Sequence, residues 1–294
     1  MRVLVSGATG FVGSALCAAL RGRGDDVHAL TRRARGPDTI AWDPTAPWRD
    51  RQPLEGFDAV VHLAGESIMG RWTAAKRARI RDSRVSGTSY LCHALAQTES
   101  PPATLVCASA TGIYGDRGDE TLTEASAPGR GFLAEVAVAW EEATAPAVEA
   151  GVRVANARLG IVLARHGGAL KAMLPPFRLG LGGPLGDGAQ FWSWIALDDV
   201  VSALLRMVDD AQLRGPVNVT APDPQRNADF TRVLAGALGR PALFRVPAFA
   251  ARLAMGRSAD ELVLASARVL PKRLQDAGFA FVHPTLESAL RALL

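Results

Sequence analysis

Three glycines near the start of the sequence have the spacing of a phosphate-binding turn. Gly7, Gly10 and Gly13 follow the apolar run 3–5 and precede an Ala-rich segment. Glycine at these points permits a tight turn, a close approach of backbone to pyrophosphate, and close packing of helix on strand. A helix that starts here offers free N–H groups to an anion. We therefore predict a dinucleotide site at Gly7, Thr9, Gly10, Phe11, Val12 and Gly13, called the glycine turn (residues 7–13) below; a purely structural turn is the alternative.

The end of the second predicted strand distinguishes the two nicotinamide cofactors. An NAD site has an acidic residue there, which binds the adenosine ribose hydroxyls. The sequence has Thr31, Arg32 and Arg33 instead, and a guanidinium group can bind a ribose 2′-phosphate through two hydrogen bonds. Arg32 and Arg33 therefore favour NADP(H), although two solvated arginines would give the same pattern in so Arg-rich a chain.

The elements that must position these residues follow from the hydrophobic pattern. Apolar runs of strand length alternate with helix-forming segments, which predicts an α/β fold with a Rossmann-type, doubly wound parallel sheet. The predicted strands are residues 3–5, 27–30, 59–63, 104–108 and 152–155, and the predicted helices are 14–20, 73–95 and 133–148.

The pattern changes after Arg158. The Gly- and Pro-rich tract 175–188 predicts a loop, and the tail after Asn227 is typical of short helices. We expect a Rossmann domain in residues 1–165, to which 189–220 return. Residues 166–188 and 221–294 are then expected to form a smaller, partly helical C-terminal lobe on the substrate side.

Composition excludes several function classes. The 33 basic and 29 acidic residues are interspersed, so no nucleic-acid-binding surface is predicted. Cys17, Cys92 and Cys107 form no Cys-x-x-Cys pair and have no His at metal-ligand spacing, so we predict small core residues, a reducing compartment and no metal site. Without a membrane-length apolar stretch or a signal segment, the sequence predicts a cytoplasmic protein with a small-molecule substrate.

Further motifs occur in a characteristic order along the chain. They are the glycine turn, His62 to Glu66, Arg71-Trp72, Arg81 to Arg84, Ser109 to Gly115, Trp140-Glu141, Gly182 to Gly186 with Gln190 and Trp194, Ala259 to Leu262, Val269 to Pro271 and Gly278-Phe279. Together they resemble the extended short-chain dehydrogenase/reductase superfamily. Within it they are similar to the atypical NAD(P)-dependent epimerase family branch, whose small C-terminal domain, of the DUF1731 type, would cover about residues 246–294.

The resemblance implies further site residues. Leu63, Ala64, Gly65 and Arg84 would line the cofactor, although strand-end packing and a solvated arginine are the alternatives. Glu66, Gln190 and Trp194 would lie on the substrate side, where tryptophans buried between lobes are the alternative. The resemblance also implies a homodimer formed through the helices at 73–95 and 133–148, although packing of the same apolar faces within a monomer is the alternative.

Catalysis is the point at which the sequence departs from the superfamily. Ordinary members use a Tyr with a Lys four residues later, whereas neither Tyr90 nor Tyr114 is followed by Lys at that distance. Counting back from Trp140 places Leu133 and Ala137 at the dyad positions. Ser109 and Tyr114 are the candidate catalytic residues, and Ser109 would also touch the cofactor. A strand-end hydroxyl and a packing aromatic are the respective alternatives, and His62 is expected to be a satisfied core imidazole.

Two functions are consistent with these residues. The first is an NADP(H)-dependent oxidoreductase or epimerase that acts on a small carbonyl or hydroxyl compound, of the sugar-nucleotide type by fold analogy, with a non-standard active site. The second is a non-catalytic, redox-responsive protein in which NADP(H) occupancy biases a conformation.

Overall fold

A seven-stranded parallel sheet is the centre of the computed structural model, which describes residues 1–294. The strands are β1 (Arg2–Ser6), β2 (Asp26–Thr31), β3 (Thr39–Ala41), β4 (Ala59–His62), β5 (Thr104–Ala110), β6 (Thr121–Leu122), β7 (Arg153–Leu159), β8 (Ile161–Ala164), β9 (Phe191–Trp192), β10 (Trp194–Ala196), β11 (Gly215–Val219), β12 (Gln225–Arg226) and β13 (Arg268–Val269). The helices are α1 (Phe11–Gly22), α2 (Ala74–Ala96), α3 (Phe132–Glu142), α4 (Ala145–Glu149), α5 (Gly168–Arg178), α6 (Leu197–Asp209), α7 (Asn227–Ala237), α8 (Ala248–Met255), α9 (Ser258–Leu262), α10 (Lys272–Asp276) and α11 (Leu286–Leu293).

The order of strands in the sheet creates a crevice. The order is β11-β7-β5-β4-β1-β2-β3. The chain therefore adds β2 and β3 on one side of β1 and then crosses to add β4 and the later strands of this sheet on the other side. Ser6, at the end of β1, is in register with Leu30 of β2 and with His62 of β4. The segments that follow these three residues therefore meet at one edge. In sheets of this type, ligands bind in the crevice where the order reverses, here between β1 and β4.

Helices cover both faces of the sheet, because each face is apolar. On one face, α1 and α6 bury Leu16, Leu20 and Met207 against the strands. On the other, α2 and α3 bury Leu95 and Trp140. The predicted Rossmann-type doubly wound fold is confirmed. The three cysteines are buried and unpaired, as the sequence predicted.

A third hydrophobic cluster lies beside the sheet and forms the smaller lobe. Phe177 of α5, Trp192 of β9, Phe230 of α7 and Leu290 of α11 are among its buried members. The predicted smaller, partly helical C-terminal lobe is therefore present. None of the helices combines the length and the hydropathy required to cross a bilayer.

Two local predictions differ from the structure, and neither edge strand of the sheet, β3 or β11, was predicted. The helix predicted over 133–148 is two helices, with Pro146 in the first turn of α4, a position where proline's missing N–H costs nothing. The tract predicted as a loop from residue 175 begins inside α5, which contains Pro175 and Pro176. The edge strand β3 was not predicted, because three residues carry too little alternation to be recognised.

Candidate functional site

The glycine turn requires glycine for steric reasons. Gly7 has φ of 69°, in the left-handed region. A methyl group on Gly13 would lie 2.2 Å from the carbonyl oxygen of Gly7, and one on Gly7 would lie 2.9 Å from the nitrogen of Ala64. The turn is thus packed backbone against backbone, between the start of α1 and the segment after β4.

The N-terminus of α1 is available to an anion. Gly10 is its N-cap, no side chain caps it, and its first turn contains no acidic residue. Thr9 and Gly10 are exposed. Uncapped N–H groups and the helix dipole give this point a partial positive charge, which favours a phosphate group.

Two guanidinium groups lie at the end of β2. Arg32 and Arg33 are exposed and form no ion pair in the structure. The hydroxyl of Thr31 donates to the carbonyl of Arg33 at 2.9 Å and closes the turn that holds them. They follow β2, which pairs with β1, and Gly7 follows β1. The two groups therefore fit the adenosine end of a dinucleotide whose pyrophosphate lies on α1. Their positive charge suits a 2′-phosphate.

A buried polar chain fixes the segment after β4 against the glycine turn. The Ser6 hydroxyl oxygen accepts the N–H groups of Leu63 at 3.1 Å and Ala64 at 3.2 Å, so its proton is directed to His62 Nδ1 at 2.6 Å. The other ring nitrogen then carries a proton and donates to Thr88 Oγ1 at 3.0 Å. The prediction of a satisfied core imidazole is confirmed.

We predict that His62 makes stability fall in mild acid. Complete burial lowers its pKa from 6.5 to about 4, so the unfolded chain binds its proton first as pH falls. The contribution is complete above about pH 6.5 and is lost towards pH 4. The loss is about 3 kcal/mol, since a tenfold change in a protonation equilibrium is worth roughly 1.4 kcal/mol. Urea denaturation across this range should give a flatter pH profile for His62→Gln than for the wild type. Parallel profiles would contradict the prediction.

The guanidinium of Arg84 lies beneath the segment after β4. Its carbon is 3.3 Å from the place where a methyl on Gly65 would be, and its Nη1 donates to the carbonyl of Glu66 at 2.9 Å. It also lies 5.0 Å from the centre of the Trp140 ring. Burial lowers the pKa of Arg84 to about 10, so the group is charged at neutral pH. Arg84 thus packs against Gly65, one of the predicted cofactor-lining residues. A direct contact between Arg84 and the cofactor stays a prediction.

The carboxylate of Glu66 is partly exposed at the end of β4. It accepts from Lys76 Nζ at 2.7 Å and lies 3.6 Å from Arg79 Nε. The hydrogen bond from Lys76 lowers the pKa of Glu66 below its ordinary value. Glu66 is therefore an anionic group at the rim of the crevice, and its substrate-side role stays a prediction.

Ser109 is bound within a buried ion-pair network. Its hydroxyl donates to Glu141 Oε1 at 2.7 Å. The same carboxylate binds Arg158 through two bonds of 2.8 Å, and Arg158 Nη1 donates to the phenol oxygen of Tyr114 at 2.9 Å. The network joins the carboxyl ends of β5 and β7 to α3.

Tyr114 is completely buried. Its phenol oxygen lies 2.7 Å from Asn218 Oδ1 and 3.0 Å from the carbonyl oxygen of Thr123, so the phenol proton stays within the protein. Burial raises the pKa of Tyr114. These bonds are typical of a structural residue, and the catalytic role assigned to Ser109 and Tyr114 stays a prediction.

Leu133 and Ala137, which counting back from Trp140 placed at the dyad positions, lie on α3. Leu133 packs near Gly112, where a methyl would be 3.4 Å from its Cβ, and Ala137 is buried beside Ile113 and Tyr114. Neither side chain can transfer a proton.

The predicted substrate-side residues of the second lobe are largely buried. Trp194 has no exposed surface, and its indole N–H donates to the carbonyl of Asp223 at 2.7 Å. Gln190 donates to the carbonyls of Leu185 and Val263, and it borders a pocket of about 500 Å³ that Arg245 also lines. Trp194 therefore has the contacts of a core residue, whereas Gln190 lies at a pocket wall.

Sequence reasoning missed the partners of these residues. Ser6, Glu141, Arg158 and Glu261 had no assigned role, yet each binds a group at the carboxyl edge of the sheet. Arg158 was the one available signal for such a partner, because it follows the apolar run of β7 and a buried charge requires a partner.

Two family models match the chain. The model of the NAD dependent epimerase/dehydratase family matches residues 3–220, and a domain of unknown function, DUF1731, matches residues 246–293. "Epimerase family protein MT2273" of Mycobacterium tuberculosis is 43% identical over 290 residues, which cover 98% of this chain and 96% of that protein. "Epimerase family protein SDR39U1" of Homo sapiens is 35% identical over the full length of both chains.

Solved structures agree with these matches. The crystal structure of human SDR39U1 isoform 2 with NADPH has a TM-score of 0.92 and 33% identity, and the match covers 100% of this chain and 99% of that one. A nucleoside-diphosphate sugar epimerase from Corynebacterium glutamicum has a TM-score of 0.82 and 39% identity, over 100% of this chain and 58% of that one. The resemblance stated from the motifs is confirmed. The chain belongs to the NAD dependent epimerase/dehydratase family, and its residues 246–293 form a C-terminal domain of the DUF1731 type.

Proposed function

We propose that the protein binds NADP(H) and acts as an oxidoreductase or epimerase-type enzyme on a small carbonyl or hydroxyl compound. One observation carries the proposal: the uncapped N-terminus of α1 at the glycine turn lies one strand from two unpaired arginines, Arg32 and Arg33. A human relative of the same fold was crystallised with NADPH, which supports the choice of cofactor.

The arginines provide the first test. Changing Arg32 and Arg33 together to Ala should weaken NADPH binding by about thirtyfold, because charge-assisted bonds to a phosphate are worth roughly 1.5–3 kcal/mol each and exposure reduces that value. NADH binding should be unchanged, since NADH has no 2′-phosphate. Isothermal titration calorimetry gives both constants.

Arg49 and Arg51 provide a matched control. They are exposed, and their replacement by Ala removes the same charge elsewhere on the surface. If the Arg49/Arg51 variant loses as much NADPH affinity as the Arg32/Arg33 variant, the effect is one of net charge and the 2′-phosphate site is rejected.

The proposed chemistry departs from that of ordinary superfamily members. A bound nicotinamide would supply or accept hydride, and the protein must orient it and move a proton. We propose that no Tyr–Lys dyad takes part, because counting back from Trp140 assigns its positions to Leu133 and Ala137, and no Lys follows either tyrosine at the fourth position.

Ser109 in β5, Tyr114 four residues beyond the end of β5 and Glu66 after β4 are the proposed members of a proton route. Ser109 and Tyr114 would pass on a proton only when their bonds to Glu141 and Asn218 open.

A substrate panel tests this proposal. Purified protein with NADPH would be incubated with aldehydes, ketones and sugar nucleotides while nicotinamide absorbance is followed, and sugar products would be separated to detect epimerisation. Turnover of at least one compound is expected. Intact cofactor binding without any turnover would reject the enzymatic proposal.

The second candidate is a non-catalytic NADP(H)-responsive protein. The apolar side chains at both dyad positions favour it. A ligand can bias a conformation only if it distinguishes two states, so NADPH and NADP⁺ should then bind with different affinities. Equal affinities would remove the support for this candidate.

The remaining assignments are proposals as well. We propose that residues 1–165 and 189–220 form the cofactor side, and that 166–188 and 221–294 form the substrate side. A homodimer through α2 and α3 and a cytoplasmic location stay predictions, which sedimentation velocity and cell fractionation would check.

A further inference from the structure

A carboxylate from the C-terminal domain lies on the N-terminus of α3. Glu261, in α9, accepts the N–H of Leu133 at 2.7 Å through Oε2 and the N–H of Phe132 at 3.2 Å through Oε1. The N-cap residue of α3, Gly131, supplies no side-chain cap. It has φ of 111°, and a methyl group on it would lie 3.0 Å from Oε2. The negative charge of Glu261 is favourable at a helix N-terminus, and glycine at position 131 leaves room for the carboxylate to approach.

The first turn of α3 lies over the carboxyl ends of two central strands. Leu133 packs near Gly112, which follows β5. The Phe132 ring lies 5.1 Å from the ring of Trp72, in the segment after β4, and 4.4 Å from the guanidinium carbon of Arg77. The position of this turn therefore sets one wall of the crevice.

That wall is on the side opposite Arg32 and Arg33. The two arginines follow β2, whereas β4 and β5 lie beyond β1 in the other direction. A dinucleotide that crosses the glycine turn with its adenosine phosphate at β2 must extend its nicotinamide half over β4 and β5. Leu133 and Phe132 thus belong to the nicotinamide side.

Three further hydrogen bonds tie the C-terminal domain to this side. Ser258 Oγ, at the start of α9, donates to the carbonyl of Gly70 at 2.9 Å. The Arg71 guanidinium donates to the carbonyl of Leu253, and its Nε donates to that of Ala254 at 3.4 Å. The segment after β4 is therefore attached to α8 and α9, and the first turn of α3 is attached to α9.

We propose that Glu261 is a positioning residue for the nicotinamide half of the cofactor, and that the C-terminal domain thereby completes the cofactor site. The inference rests on the proposed binding of NADP(H). With both carboxylate oxygens bound to backbone N–H groups, Glu261 acts by fixing the first turn of α3. Its loss frees that turn and loosens the wall that holds the nicotinamide, while the glycine turn and the arginines are unchanged.

Two ligands separate this role from a general structural one. NADPH contains both halves of the cofactor, whereas 2′,5′-ADP contains the adenosine and its 2′-phosphate but no nicotinamide. For Glu261→Ala, calorimetry should show a Kd for NADPH raised about tenfold, because binding of the nicotinamide must then order the freed first turn of α3. The Kd for 2′,5′-ADP should change by less than about twofold. Glu261→Gln keeps one acceptor oxygen and should recover part of the NADPH affinity.

Asp260 is the matched control. It is the neighbouring acid in α9, exposed and paired with Arg252, so Asp260→Ala removes the same charge and should leave both constants unchanged. Equal losses for both ligands in Glu261→Ala, or no loss for either, would overturn the inference. If Glu261→Ala does not fold, the same ratio in Glu261→Gln decides. A wild type that binds neither ligand would instead reject the proposed function.

Discussion

Replacing Gly13 by Ala should weaken NADPH binding by more than about a hundredfold, because overpacking costs roughly 1–3 kcal/mol and the displaced N–H donors lose their bonds to phosphate. The added methyl would lie 2.2 Å from the carbonyl oxygen of Gly7 and 2.8 Å from its carbon. Both are backbone atoms, so the glycine turn itself must move. Nicotinamide fluorescence titration measures the loss, and circular dichroism verifies that the chain is folded.

Gly22, at the other end of α1, is the control. A methyl there would meet nothing within 4 Å, and alanine stabilises a helix by roughly 1 kcal/mol relative to glycine. Gly22→Ala should keep full NADPH affinity. A Gly13→Ala protein that binds NADPH as the wild type does would show that the pyrophosphate lies elsewhere.

Glu141→Leu should lower the free energy of unfolding by about 3–5 kcal/mol, the usual result of leaving one member of a buried ion pair without its partner. The side chains of Arg158 and Glu141 are only 8% and 13% exposed. Without the carboxylate, two N–H groups of Arg158 and the hydroxyl of Ser109 lose their acceptor. Urea denaturation followed by circular dichroism measures the change.

Two variants make this result specific. Asp229→Ala removes the partner of Arg232 in an exposed pair, and its cost should be below about 1 kcal/mol. The double change Glu141→Leu with Arg158→Met removes both buried charges and should regain much of the lost stability. A double variant no more stable than Glu141→Leu would show that the network contributes through something other than its paired charges.

The fold was predictable because its signal is local. Each central strand that was predicted is a short apolar run. Gly7, Gly10 and Gly13 mark the turn between β1 and α1, where the close backbone contacts leave little room for a side chain at these three positions. The positions of Arg32 and Arg33 follow from the same argument, because they come directly after a recognisable strand. The division of helix 133–148 was missed, although Pro146 within the helical pattern was a sequence signal for a boundary.

Much of the candidate site was not predictable, because its bonds join residues far apart in the sequence. Ser6 and His62 are 56 residues apart, and Leu133 and Glu261 are 128 apart. Periodicity and spacing contain no information on such pairs. Ser109 and Tyr114 illustrate the consequence, since their types suggested chemistry while their partners, Glu141 and Asn218, are visible only in the fold.

Binding of NADP(H) by the glycine turn and the arginines after β2 can be measured by calorimetric titration. Cofactor-free wild-type protein would be titrated with NADPH, NADP⁺, NADH and NAD⁺ under one set of conditions. We expect saturable binding of NADPH and NADP⁺, at least about tenfold tighter than that of NADH and NAD⁺, because only the former have the 2′-phosphate that Arg32 and Arg33 can bind. A preference for NADH and NAD⁺, or no binding of any of the four, would contradict it.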